Sequence, residues 1–184
     1  MARVRLGSKE ALLERVTRSF PYIETDHEYI HEGNFFESSI DFTLATTESG
    51  LIVIHTPTEL YLHYRNEKVS CSADKVTIEL YEDPTVTAAT GDVITPFNHS
   101  RISTITSQST VLKNPTVTDN GTKIAQSFLG GGTGQGQSRS GSETSSQNEW
   151  VLKRNTKYLI RVVNDSTGSN IVQVNPVWYE EGSA

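Results

Sequence analysis

The stretch KVTIELYEDPTVTAATGDVI, residues 75–94, decides the fold class. Val76, Ile78 and Leu80 alternate with Thr77, Glu79 and Tyr81, the two-residue period of a strand with one face in a core. The run then meets Asp83-Pro84, and because proline cannot donate to a ladder, Pro-Thr-Val-Thr reads as an edge segment or a loop-borne hairpin arm. Moving outward, the same period recurs in Phe36, Ile40, Phe42 and Leu44, and again in Leu60, Leu62 and Tyr64. It returns late in the chain, in Tyr158, Ile160 and Val162, then in Val172, Val174 and Trp178. Turn signals separate the runs: ESG at 48–50, DNG at 119–121 and NDSTGSN at 164–170. Many short strands at regular spacing predict an all-β sandwich or barrel.

One phrase occurs twice. DPTVTAATGDVI begins at Asp83 and NPTVTDNGTKI at Asn114, each pairing Pro-Thr-Val-Thr with a glycine-containing turn a few residues on. The repeat is too short for a solenoid.

Only the beginning departs from this pattern. Ser8 as a cap, Leu12, Leu13, Val16 and Phe20 at helical spacing, and Pro21 as a stop predict a short helix over residues 8–20. Residues 1–25 are thus expected to be an arm and helix, and 26–184 a β-sandwich domain. The net charge of the 184 residues is −6. Residues 1–20 hold five bases, Arg3, Arg5, Lys9, Arg15 and Arg18, against Glu10 and Glu14, a local +3 that leaves −9 for the remainder. So acidic a body repels phosphate and argues against a nucleic-acid partner. Arg3 and Arg5, ahead of the expected helix, and Arg15 and Arg18 upon it are candidate contacts to an acidic protein surface. The bland alternative is a helix packed on the sandwich with its charges in water.

Residues 130–148 are nearly all Gly, Ser, Thr and Gln, with little to bury, and are expected to be mobile. They are either a plain excursion between strands or a contact loop, with Gln135, Gln137 and Arg139 as its candidate contacts.

His27-Glu28-x-x-His31 matches the H-E-x-x-H pattern of zinc proteases, which works only on a helix. Tyr29 and Ile30 are the only apolar residues between Ile23 and Phe35, and Gly33 stops the segment. At period 2, His27, Tyr29 and His31 share a face, so an exposed strand is expected. The extended form of the motif needs Gly at 34 and His at 37, where Asn34 and Glu37 stand. No G-x-S-x-G, G-x-G-x-x-G or P-loop is present. Cys71, the single cysteine, excludes an intrachain disulfide, fits a reducing compartment and reads as a small residue near a strand end. His55, His63 and His99 read as structural. No apolar run is long enough for a membrane span or a signal peptide, so an intracellular product is expected.

The phrase VTIELYEDPTVTAATGDVITPFNHSR (76–101) resembles a segment of small tailed-bacteriophage head proteins. NPTVTDNGTKI, FLGGG with its polar loop, EWVLKRNTKYLIRVVN and VWYEE follow in that family's order, and HEYIHEGNFF resembles its segment before the first long strand. The likeness spans residues 27–181 and rests on structural phrases. It implies a capsid decoration, or cement, protein: a jelly-roll-like rather than immunoglobulin-like sandwich, typically a homotrimer, bound to the major capsid protein on the outside of the virion. It further implies no catalysis, no metal, no cofactor and no membrane partner. Two other readings remain: a tail, baseplate or host-glycan-binding module, whose sign would be exposed loop aromatics, and an enzyme built on the zinc pattern.

Overall fold

The computed structural model describes residues 3–6, 9–12, 25–73, 75–130, 139–141 and 149–182. In chain order these form strands β1 (Arg3–Leu6) and β2 (Lys9–Leu12), helix α1 (Thr25–Glu32), and strands β3 (Phe35–Glu37), β4 (Ile40–Leu44), β5 (Ser49–His55), β6 (Leu60–Cys71), β7 (Lys75–Glu82) and β8 (Thr85–Val86). There follow β9 (Asp92–Ile94), β10 (Phe97–Asn98), β11 (Thr110–Lys113), β12 (Val117–Asp119), β13 (Thr122–Gly130), β14 (Arg139–Gly141), β15 (Trp150–Leu152), β16 (Lys157–Asn164) and β17 (Asn170–Gly182).

The fold is all-β, as the alternation predicts, and every pairing is antiparallel. Sheet I is built on the two longest strands, β17 and β6. β3 and β4 share the free side of β17, β10 extends β3, and β14 and β15 pair with the far side of β6. Sheet II runs β13-β7-β16-β5-β11-β9. The two pack face to face: Phe42, Tyr64 and Trp178 of sheet I share one buried cluster with Ile52, Leu80 and Tyr158 of sheet II. β4 shows how this follows from sequence, since Ile40, Phe42 and Leu44 are buried while Asp41 and Thr43 face water.

The repeated phrase makes its own structure. β8 and β12, the two Pro-Thr-Val-Thr segments, pair with each other, Val117 opposite Val86. Each leaves sheet II through the same corner, a left-handed residue before proline: Asp83 (φ 60°) after β7 and Asn114 (φ 50°) after β11. The Asp83 amide donates to the Lys157 carbonyl, and the Asn114 amide to that of Leu51. Val86 and Val117 then lie over Val53, Tyr81 and Leu159 on the outer face of sheet II. The glycines complete the symmetry. A Cβ on Gly91 (φ 85°) would meet the Lys113 carbonyl oxygen at 2.8 Å and Pro115 at 2.9 Å, in the second repeat. One on Gly121 (φ 80°) would meet the Glu82 carbonyl oxygen at 2.2 Å and Asp83 at 2.8 Å, in the first. Each glycine therefore seats on the other repeat's corner, and the pair closes as a clasp.

The expected helix over 8–20 is corrected where the structure describes it. Lys9–Leu12 is a strand paired with Arg3–Leu6, Leu6 opposite Lys9. Only Gly7-Ser8 separates the two segments in the sequence. A lone 13-residue helix gains too little from propensity to compete without a packed face. Residues 13–24, with Arg15 and Arg18, lie outside the described residues. The glycine-rich stretch at 130–148 is also more ordered in one place than expected: Arg139–Gly141 adds to sheet I, Arg139 opposite Cys71.

Candidate interaction surfaces

At one flank of the sandwich β9, the edge of sheet II, runs through Thr95-Pro96 into β10, the edge of sheet I. The segment from 92 to 105 puts Val93 (72% exposed), Phe97, Ile102 (96%) and Ile105 into water. Four large apolar side chains exposed within fourteen residues make this segment a candidate interaction surface. It is also firmly held from below. The buried Asn98 donates through Nδ2 to the carbonyls of Gly33 (2.6 Å) and Ile105 (3.1 Å), and its Oδ1 accepts from the Ser100 amide (2.8 Å). The buried Glu180 accepts from the hydroxyls of Ser107 and Ser109 (2.6 Å each), the amides of Gln108 and Ser109, and Trp178 Nε1 (3.1 Å). Five donors to one carboxylate satisfy its charge and tie residues 107–109 to β17. Phe97 lies on His99, whose Nε2 is 2.9 Å from Glu37. Burial alone would raise the Glu37 carboxyl, but Lys68, His99 and Asn175 outweigh it and hold it below the ordinary range.

The outer face of sheet I is roofed by α1. Tyr29 stacks on Tyr179 (centroids 3.8 Å), and His63 stacks on the other side of Tyr179 at 4.4 Å. The Tyr29 hydroxyl donates to Glu181 at 2.9 Å, and burial followed by that carboxylate pushes its pKa up to about 12. Glu149 gathers His63 Nδ1 (2.7 Å), the Tyr179 hydroxyl (2.7 Å) and Arg65 (2.6 Å). Its carboxyl is raised by burial but lowered further by His63, Tyr179 and Arg65, and ends below the ordinary range.

This roof overturns the strand expected at His27–His31. The segment is helical, closed by a Schellman turn in which the Gly33 amide (φ 78°) donates to Ile30 and the Asn34 amide to Tyr29. Two apolar residues suffice because their partners Phe35, Val177 and Tyr179 come from other elements. His27 Nε2 and His31 Nε2 lie 3.0 Å apart. Among the described residues no group of three or more His, Cys, Asp or Glu side chains converges to hold a metal.

The other expected contacts are scattered. Arg3 and Arg5 lie in β1, which pairs with β2 in a two-stranded sheet of its own, and Arg139 lies in β14 on the flank opposite β10. Gln135 and Gln137 fall outside the described residues. On the flank of β13 and β15, Phe128, Trp150 and Val151 are also exposed. The exposed apolar residues at 93–105 leave no signal in the sequence, because they neither alternate nor keep a helical spacing across the segment. No known protein family, characterised protein or solved structure matches the chain.

Proposed function

We propose that this chain is a structural virion protein that binds the outer surface of a tailed-phage capsid and braces neighbouring subunits of the major capsid protein. In this reading it acts without catalysis or cofactor, as a homotrimer of jelly-roll-like sandwiches, after synthesis in the host cytoplasm. The resemblance over residues 27–181 supports the partner. The observation that carries the reading is the flank of Val93, Phe97, Ile102 and Ile105, exposed yet anchored through Asn98 and Glu180. A pre-ordered apolar segment loses little entropy on docking; burying the almost fully exposed Ile102 gains roughly 1.5–3 kcal/mol, and the half-buried Phe97 and Ile105 gain less. Binding only to the assembled shell stabilises that shell by mass action, and linked copies raise the overall attachment.

The test is co-sedimentation of the purified chain with phage heads lacking it, before and after expansion. The expected result is saturable binding to expanded heads, with added resistance to heat, abolished in a Phe97→Asp/Ile102→Asp variant. Deleting residues 1–20 or shortening 130–148 tests the remaining contacts the same way. Absence of binding to either head form overturns the reading. The alternative is a tail, baseplate or glycan-binding module, whose sign is exposed loop aromatics; Trp150, 40% exposed, lies instead on strand β15. Retention on a host-glycan array that Trp150→Ala abolishes would favour it.

A further inference from the structure

The histidines of α1 lie outside the apolar flank, and the helix fixes their geometry. Tyr29 and Ile30 pack against Phe35, Val177 and Tyr179, which sets the rotation of α1 about its axis. Residues two positions either side of Tyr29 are turned about 160° away from it at 3.6 residues per turn. His27 and His31 therefore stand together on the solvent side, both exposed. Their Nε2 atoms lie 3.0 Å apart and their ring centroids 4.4 Å apart. At that separation the two nitrogens share one proton, one ring donating and the other accepting. A metal ion can take the place of that proton and receive a lone pair from each ring. With metal–nitrogen bonds of about 2.0–2.1 Å, two nitrogens sit about 2.9 Å apart at a right angle and about 3.3 Å apart at the tetrahedral angle. The observed spacing falls within that interval, nearer the right angle.

We propose that His27 and His31 form a two-histidine surface chelate for a divalent first-row transition ion, with Cu2+ bound ahead of Ni2+ and Zn2+. Imidazole suits all three ions, and the general order of affinities sets the ranking. Among the described residues no third protein ligand converges on the pair. The H-E-x-x-H spacing then serves binding alone, and it is independent of the capsid reading.

The experiment is calorimetric titration of the full chain with Ni2+ in a non-coordinating buffer, beside spin-resonance spectra of the Cu2+-loaded protein. One saturable Ni2+ per chain is expected, with two nitrogen ligands in the Cu2+ spectrum. His27→Ala and His31→Ala should each weaken binding roughly tenfold or more, because the second imidazole acts intramolecularly on a rigid face. Both side chains are exposed, so an unchanged unfolding midpoint verifies that the variants keep the fold. Equal affinity in the parent and the double variant, or no saturable binding up to about 1 mM Ni2+, overturns the proposal.

Discussion

Sheet II hides its outer face under backbone, the clasp of β8 on β12, whereas sheet I hides its own under an eight-residue helix held by rings and carboxylates. The clasp is a steric fit: two left-handed corners, two prolines and two glycines, each glycine against the opposite repeat's backbone. The roof is a set of side-chain contacts among Tyr29, Tyr179, His63, Glu149 and Glu181. Backbone cannot yield by changing rotamer, so the clasp is intolerant of added atoms. Side-chain contacts can relax one at a time, and those between ionisable groups respond to pH.

The largest expected effect breaks the clasp. Gly121→Ala combines a left-handed φ with a Cβ 2.2 Å from a carbonyl oxygen, and should cost about 3 kcal/mol in urea unfolding. Gly91→Ala, with a 2.8 Å approach, should cost about 2 kcal/mol. Gly168, with nothing within 4 Å of a built Cβ, is the control, and its Ala variant should stay within about 0.5 kcal/mol of the parent. If all three variants unfold alike, the reciprocal fit is wrong.

Opening the roof should cost less and act locally. Tyr29→Ala removes the ring stacked on Tyr179 and the bond to Glu181, a loss of about 1–2 kcal/mol. Hydrogen exchange should quicken in α1 while β7 and β16 keep their protection. Comparable loss in those strands would mean that α1 and the core unfold as one unit.

The smallest effects concern charge around sheet I, where the carboxyls of Glu67 and Glu149 are shifted in opposite directions. Burial raises the Glu67 carboxyl, though the Tyr64 hydroxyl donates to it at 2.5 Å and partly opposes the shift. A folded-state value above the unfolded one means that stability is lost as pH rises through it. Glu67→Gln should therefore gain stability at pH 8 and nothing at pH 4. Glu149 is lowered, so its contribution is present above the unfolded carboxyl range and lost as pH falls. Glu149→Gln should lose stability at pH 7, and the difference should shrink in acid. Denaturant midpoints from about pH 2 to pH 8 measure both, and the penalty of Gly121→Ala should stay constant over that range.

How much of this could be read beforehand depends on the distance between partners. The two Pro-Thr-Val-Thr phrases were visible as a repeat, and their prolines as a departure from the ladder. That they pair with each other could not be read, because strands of two and three residues gain their stability only from the sheet beneath them. At His27–His31 the period is ambiguous over eight residues, and two of the residues that α1 packs on, Val177 and Tyr179, lie far along the chain in β17.

Local alternation by itself determined the all-β class, since a strand with one buried face repeats every two residues whatever it pairs with. The sequence likewise determined that Gly33 would end the segment before β3. Only the tertiary structure decided that this segment is a helix, that residues 9–12 are a strand, and that an apolar flank stands in water at 93–105. In short segments competing local conformations differ by little, and contacts from distant parts of the chain make the choice.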